Sequence, residues 1–106
     1  MLKVAILGAT GIVGQQVIKR LVDHPWFKPE RLIASWRSAG KPYLEALRAT
    51  GTPEGDLPVK IAEMPVTAAE EFNPQEVDLI FSCVATDLAR SLEPKYARST
   101  PVVSTT

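Results

Sequence analysis

The chain has 106 residues, with twelve Lys plus Arg against twelve Asp plus Glu and a formal net charge of zero. That length holds one domain, and balanced charge without a Lys/Arg block argues against nucleic-acid binding by bulk charge. Apolar residues at 45% and charged residues at 23% describe an ordinary globular chain; a single cysteine, Cys83, excludes an internally disulfide-stapled scaffold.

In chain order, Val4-Ala5-Ile6-Leu7 is a short apolar run stopped by Gly8. Such a run reads as a strand buried on both faces, as in a parallel sheet. It is far too short to cross a bilayer, and no signal-peptide core precedes it, so a cytoplasmic domain without membrane contact is expected. From Ile12 the period becomes helical: Val13, Val17, Ile18, Leu21 and Val22 share a face, with Gln15, Gln16, Lys19 and Arg20 opposite. Pro25 ends this helix after His24, while Trp26 and Phe27 read as packing residues. Arg31 to Ser35 is expected to form a second strand, which completes a βαβ unit.

Trp36 to Pro42 reads as a loop, Tyr43 to Ala49 as a short helix, and Thr50 to Pro58 as irregular chain rich in Gly and Pro. Val59 to Met64 alternates apolar and polar residues and is expected to be a strand with one wet face. Asp78 to Val84 is a further buried strand. Thr86 or Asp87 is expected to cap a helix running through Leu88, Leu92 and Tyr96, kinked or restarted by Pro94. Val102-Val103-Ser104 begins a last strand. The fold expected is α/β: a Rossmann-like parallel sheet with flanking helices, incomplete at the C-terminus, all of it one domain over residues 1–106 with no catalytic domain. A sheet so ended is expected to expose an apolar face, making the chain marginally stable or self-associating.

The chemistry concentrates in Gly8-Ala9-Thr10-Gly11-Ile12-Val13-Gly14, between the first strand and the first helix. One glycine permits a tight turn, a second lets backbone approach a pyrophosphate, and a third lets the helix pack on the strand. Amide groups of the first helical turn then face the anion. The alternative is that the glycines make only a turn. At the end of the second strand, folds that take NAD usually carry an acid for the ribose 2′-hydroxyl. None occurs from Arg31 to Tyr43; Ser35, Arg37 and Ser38 stand there instead. A guanidinium with two hydroxyls suits a 2′-phosphate, so NADP is favoured over NAD, against the plainer reading of a solvated polar loop. Lys41 is either a point charge near the phosphates or a surface lysine.

Cys83 ends a buried strand, and the lone histidine, His24, ends a helix leading away from that edge. No general base is therefore at hand, and Cys83 reads as a small packing residue lining the crevice with Val84 and Ala85. No Cys, His, Asp and Glu cluster has metal-ligand spacing, so no metal is expected.

These segments together resemble the N-terminal cofactor domain of aspartate-semialdehyde dehydrogenases, particularly their archaeal and fungal branch. The resemblance is carried by Leu7 to Gln15, by Asp23-His24-Pro25, by Ala34-Ser35-Trp36-Arg37-Ser38-Ala39-Gly40-Lys41-Pro42-Tyr43, and by Asp78 to Ser82 with Asp87-Leu88-Ala89. It runs end to end but corresponds to only the first third of such an enzyme. The resemblance implies a parent oxidoreductase, itself a homo-oligomer. That parent reduces aspartyl phosphate to aspartate semialdehyde with NADPH, for lysine, threonine, methionine and isoleucine synthesis. Its catalytic cysteine and histidine belong to the part that follows, so no catalytic residue is assigned here and the chain alone is expected to be inactive. Only the cofactor side transfers: Gly8, Thr10, Gly11, Ile12 and Val13 at the pyrophosphate, Ser35, Arg37 and Ser38 at the 2′-phosphate, and Cys83 and Ala85 near the nicotinamide. The chain departs from relatives at Cys83-Val84-Ala85, where a small residue and Leu-Pro are usual, and at Thr105, where Asn is usual. Malonyl-CoA reductase, N-acetyl-gamma-glutamyl-phosphate reductase, a non-catalytic NADP-binding module and an extended short-chain reductase remain alternatives.

Overall fold

The computed structural model describes residues 1–51 and 57–105. Strand β1 (Leu2–Leu7) leads through the glycine turn into helix α1 (Ile12–Leu21), and strand β2 (Phe27–Ala34) returns parallel to β1. Helices α2 (Tyr43–Thr50) and α3 (Val59–Ala62) precede strand β3 (Val66–Ala68). A 3₁₀ turn (Pro74–Glu76), strand β4 (Leu79–Ser82), helix α4 (Thr86–Ala97) and strand β5 (Val102–Ser104) follow. Among the described residues the five strands form one parallel sheet in the order β3-β2-β1-β4-β5. The chain moves outward one way from β1 to β3, then crosses back to β4 on the other side of β1. That reversal makes the C-terminal ends of β1 and β4 the switch point, where open α/β sheets hold their ligands.

The apolar run of β1 is buried on both faces, as its composition requires. Val4 and Ile6 join Ile18 and Leu21 of α1 and Tyr43 and Leu47 of α2 on one face. Ala5 and Leu7 join Ile80 and Tyr96 on the other, beneath α4. The Rossmann-like sheet expected from the sequence is therefore present.

Four local expectations are corrected. Val59 to Met64 is not a strand: Pro58 accepts from the amides of Ile61 and Ala62 and opens α3, and β3 begins only at Val66. Three residues are too few to show a period-two pattern, whereas the alternation in α3 buries only Ile61 and leaves Val59 exposed. Strand β2 begins at Phe27 rather than Arg31, because the strand absorbs Pro29 at a register shift: Val4 pairs with Pro29 and Ala5 with Arg31, skipping Glu30. Ala85, not Thr86 or Asp87, occupies the cap position of α4 and makes no side-chain capping bond, and the helix continues through Pro94 without a break. The apolar stripe of α1 is also rotated. Gly14, Gln15, Ile18 and Leu21 face inward, while Ile12 and Val13 are exposed. Of the stretch expected to be irregular, residues 52–56 lie outside the described residues.

Candidate functional site

At the end of β1 the chain turns sharply at Gly8, whose φ of +83° is in the left-handed region that favours glycine. The amides of Gly8 and Ala9 both donate to the Ile33 carbonyl of β2, at 2.9 and 3.0 Å. A Cβ on Gly8 would lie 2.8 Å from the Cys83 carbonyl oxygen, so the ends of β1 and β4 touch through backbone here. Gly14 brings α1 equally close: a Cβ there would lie 2.1 Å from the Gly8 carbonyl oxygen and 3.0 Å from Ala9 Cα. Gly11, by contrast, is the cap residue of α1, with nothing nearer than 3.4 Å to an added Cβ. The first and third glycines are required by close packing, and the second leaves the mouth of the turn open.

That open mouth is chemically defined. The first-turn amides of an α-helix have no intrahelical acceptor, and they concentrate the positive end of the helix dipole. In α1 no side chain caps them and no acidic residue stands in the first turn, while Lys19 and Arg20 complement the dipole at the other end. An anion over Gly11, Ile12 and Val13 would complete this arrangement.

Two side chains hold the turn from behind. Tyr43, fully buried at the start of α2, donates its hydroxyl to the Ala9 carbonyl at 2.6 Å. Burial pushes the Tyr43 phenol well above its ordinary value, so it remains a donor throughout the physiological range. Gln15, also buried, donates Nε2 to the Thr10 carbonyl at 3.1 Å. Sequence reasoning missed both. Gln15 was on the expected polar face, and the Tyr43 bond spans 34 positions.

Beyond β2 the chain folds into a compact turn. The amide of Ser38 donates to Ser35, that of Ala39 to Trp36 and that of Lys41 to Ser38, with Gly40 at a φ of +82°. Two further bonds, Gly40 amide to Val66 carbonyl and Val66 amide to Lys41 carbonyl, strap the turn to β3. Ser38 is buried within the turn, whereas Ser35 and Arg37 are exposed. The Arg37 guanidinium lies 5.7 Å from the Trp36 ring centre, which is cation–π range. An apolar recess of about 320 Å³ opens beside Gly8, Thr10, Ala34, Ser35 and Val84, joining the glycine turn to the end of β2.

Cys83 donates its amide to the Leu7 carbonyl at 2.8 Å, and its side chain packs against the α1 face of the core. Burial raises the thiol pKa, with a hydrogen bond to Thr105 acting the other way. An activated nucleophile needs the opposite shift. His24 stands at the other end of the sheet, where its Nδ1 accepts from the amides of Trp26 and Phe27 at 3.1 and 3.3 Å. Its ring stacks on Phe27, whereas Trp26 is exposed rather than packed. Among the described residues no group of three or more His, Cys, Asp or Glu side chains is placed to hold a metal ion, and no helix is long and apolar enough to cross a membrane.

The sequence expectations thus converge on one edge. Gly8, Thr10, Gly11, Ile12 and Val13 form the turn and helix start, Ser35, Arg37 and Ser38 the neighbouring turn, and Cys83 and Ala85 the far side of the switch point. The glycine cradle, which a Cβ would fill at Gly8 and Gly14, fits a dinucleotide whose pyrophosphate lies against backbone.

Comparison with known proteins agrees with this geometry. The aspartate-semialdehyde dehydrogenase of Methanothermobacter thermautotrophicus is 41% identical over 104 residues, covering 98% of this chain and 29% of the relative. A malonyl CoA reductase (NADP) of Metallosphaera sedula is 39% identical over 97 residues, covering 92% of this chain and 26% of the relative. The crystal structure of aspartate semialdehyde dehydrogenase with NADP from Candida albicans superposes with a TM-score of 0.86 at 37% identity, over 98% of this chain and 29% of that one. The chain therefore spans less than a third of the length of these relatives. The family profile described as semialdehyde dehydrogenase, NAD binding domain, matches residues 3–106, and the chain belongs to that family as its NAD-binding domain.

Proposed function

We propose that this chain is the NADP-binding domain of an aspartate-semialdehyde dehydrogenase and is inactive alone. The observation that carries the reading is the pairing of two features at one sheet edge. The uncapped start of α1 takes the pyrophosphate, and the acid-free turn bearing Arg37 takes the 2′-phosphate. In this reading Gly8 and Gly14 shape the cradle, the Gly11 amide closes the turn on the Gly8 carbonyl, and the pyrophosphate lies over Gly11 against the amides of Ile12 and Val13, beside Thr10. Arg37 pairs with the 2′-phosphate with Ser35 and Ser38 beside it, and the backbone bonds of Ser38 hold the turn in shape. Cys83 and Ala85 border the nicotinamide side, where Cys83 packs and does not attack. The bound dinucleotide supplies hydride chemistry. This chain's own residues fix its orientation and, through the backbone contact of Gly8 with Cys83, close the floor beneath it.

The whole enzyme's activity, NADPH-dependent reduction of aspartyl phosphate in amino-acid biosynthesis, belongs to this proposal. So do its homo-oligomeric assembly and a cytoplasmic location. The similarity to a malonyl CoA reductase keeps a second acyl substrate in view. An NADP-dependent oxidation assay on the protein extended through the reading frame beyond Thr106 separates the two. Phosphate-dependent turnover of aspartate semialdehyde supports the proposal, and turnover of malonate semialdehyde with coenzyme A instead replaces it. Absence of both from a folded protein that binds NADP indicates a non-catalytic module.

A further inference from the structure

The recess beside the glycine turn holds a charge that the cofactor reading has not used. Ala34 of β2 pairs with Ala68 of β3, and the Ala69 amide still donates to the Ala34 carbonyl at 3.2 Å. This bond keeps the chain leaving β3 against the end of β2 and delivers Glu70 beside Ser35 at the recess. The rest of that lining is mostly aliphatic, including Leu88 and Leu92 of α4, with the hydroxyl residues Thr10 and Ser35 among it, and Glu70 is the one charged residue there among the described residues. Glu70 is exposed at the rim; no hydrogen bond or ion pair within the described residues engages its carboxylate, whose charge bears on the Tyr96 phenol and adds to its upward shift.

We infer that Glu70 reads the base of the dinucleotide, accepting a hydrogen bond from the exocyclic amine of adenine seated between β2 and α4. The inference rests on the NADP reading above. An apolar slot suits a flat heterocycle, and its volume of about 320 Å³ lies within the range of small-molecule sites. The carboxylate is acceptor-only when ionised. It therefore matches an amine at the purine 6-position and opposes a carbonyl there, which sets two acceptors face to face. Ser35 lines both this slot and the turn that carries the exposed Arg37, so in this inference the adenosine ribose lies at Ser35 with its 2′-phosphate toward Arg37 and its base toward Glu70. Glu70 is thus a specificity-determining residue, selecting adenine over hypoxanthine or guanine dinucleotides.

The test is calorimetric titration of the full chain with NADP and with its deaminated analogue, nicotinamide hypoxanthine dinucleotide phosphate. The native protein binds NADP tighter by about tenfold or more, the scale of one hydrogen bond to a charged group. Glu70→Gln, whose amide both accepts and donates, narrows that ratio to about twofold with an unchanged circular dichroism spectrum. Equal binding of the two dinucleotides by the native chain, or an undiminished ratio in Glu70→Gln, overturns the role of Glu70 and leaves the NADP site standing. Failure of both to bind the folded native chain overturns the site and this inference together.

Discussion

Gly14→Ala is the sharpest perturbation of the cradle. Its added carbon would sit 2.1 Å from the Gly8 carbonyl oxygen, 2.9 Å from the Gly8 carbonyl carbon and 3.0 Å from Ala9 Cα. All three are backbone atoms, so no side-chain rotation relieves the contact. The start of α1 must retreat by roughly 1 Å, away from a core in which Ile18 and Leu21 are buried. Overpacking of this kind costs about 1–3 kcal/mol or more. Replacing a helical glycine by alanine returns about 1 kcal/mol in propensity. The clash wins because it is set by backbone on both sides, and a net loss of about 2 kcal/mol follows. In a domain of this size that lowers Tm by about 8 °C or more. Gly11→Ala is the internal control: its nearest atom lies at 3.4 Å, and stability should change by no more than about 1 kcal/mol. Scanning calorimetry of both variants at matched concentration measures the difference. A Gly14→Ala protein melting within about 2 °C of the native chain would refute the close-approach argument.

Other expected outcomes follow the same logic. Tyr43→Phe removes the hydroxyl from the Ala9 carbonyl and should cost about 1–2 kcal/mol in urea unfolding, because a buried acceptor loses its partner. The folded Tyr43 pKa is raised above the unfolded value of about 10, so its contribution is intact below pH 10 and is lost as pH rises from there toward the folded pKa. A stability–pH curve should therefore fall more gently on the alkaline side in Tyr43→Phe. Ile18→Ala, in the core, should cost about 2–5 kcal/mol, whereas Val13→Ala on the exposed side of the same helix should stay within about 0.5 kcal/mol. Equal effects would show that α1 is phased as its apolar residues suggest rather than as Gly14 dictates. The edge strand β5, with Val103 half-exposed, should make the chain self-associate with concentration, and sedimentation velocity showing a monomer at every loading would contradict this.

What the sequence disclosed was local. The buried strand β1, the glycine turn and α1 were legible because each signal lies within a few residues. Strand β4 was readable for the same reason. The phase of α1 was misread because its closest contact is made by Gly14, which has no side chain to count as apolar. Strand β3 escaped because its three residues follow Pro65, and the alternating pattern before them belongs to α3. Tyr43 and Glu70 reach the site only through tertiary structure, one from the start of α2 and one by the strapping of β3 to β2. No spacing rule in a single sequence contains either.

Calorimetric titration of the native chain and of Arg37→Ala with NADP and NAD tests the central claim most directly. NADP should bind tightly and NAD weakly, and the substitution should weaken NADP by about ten- to a hundredfold, the scale of a charge-assisted hydrogen bond, while leaving NAD nearly unchanged. Equal affinities for the two dinucleotides, unaltered in Arg37→Ala, would contradict the account of the turn after β2.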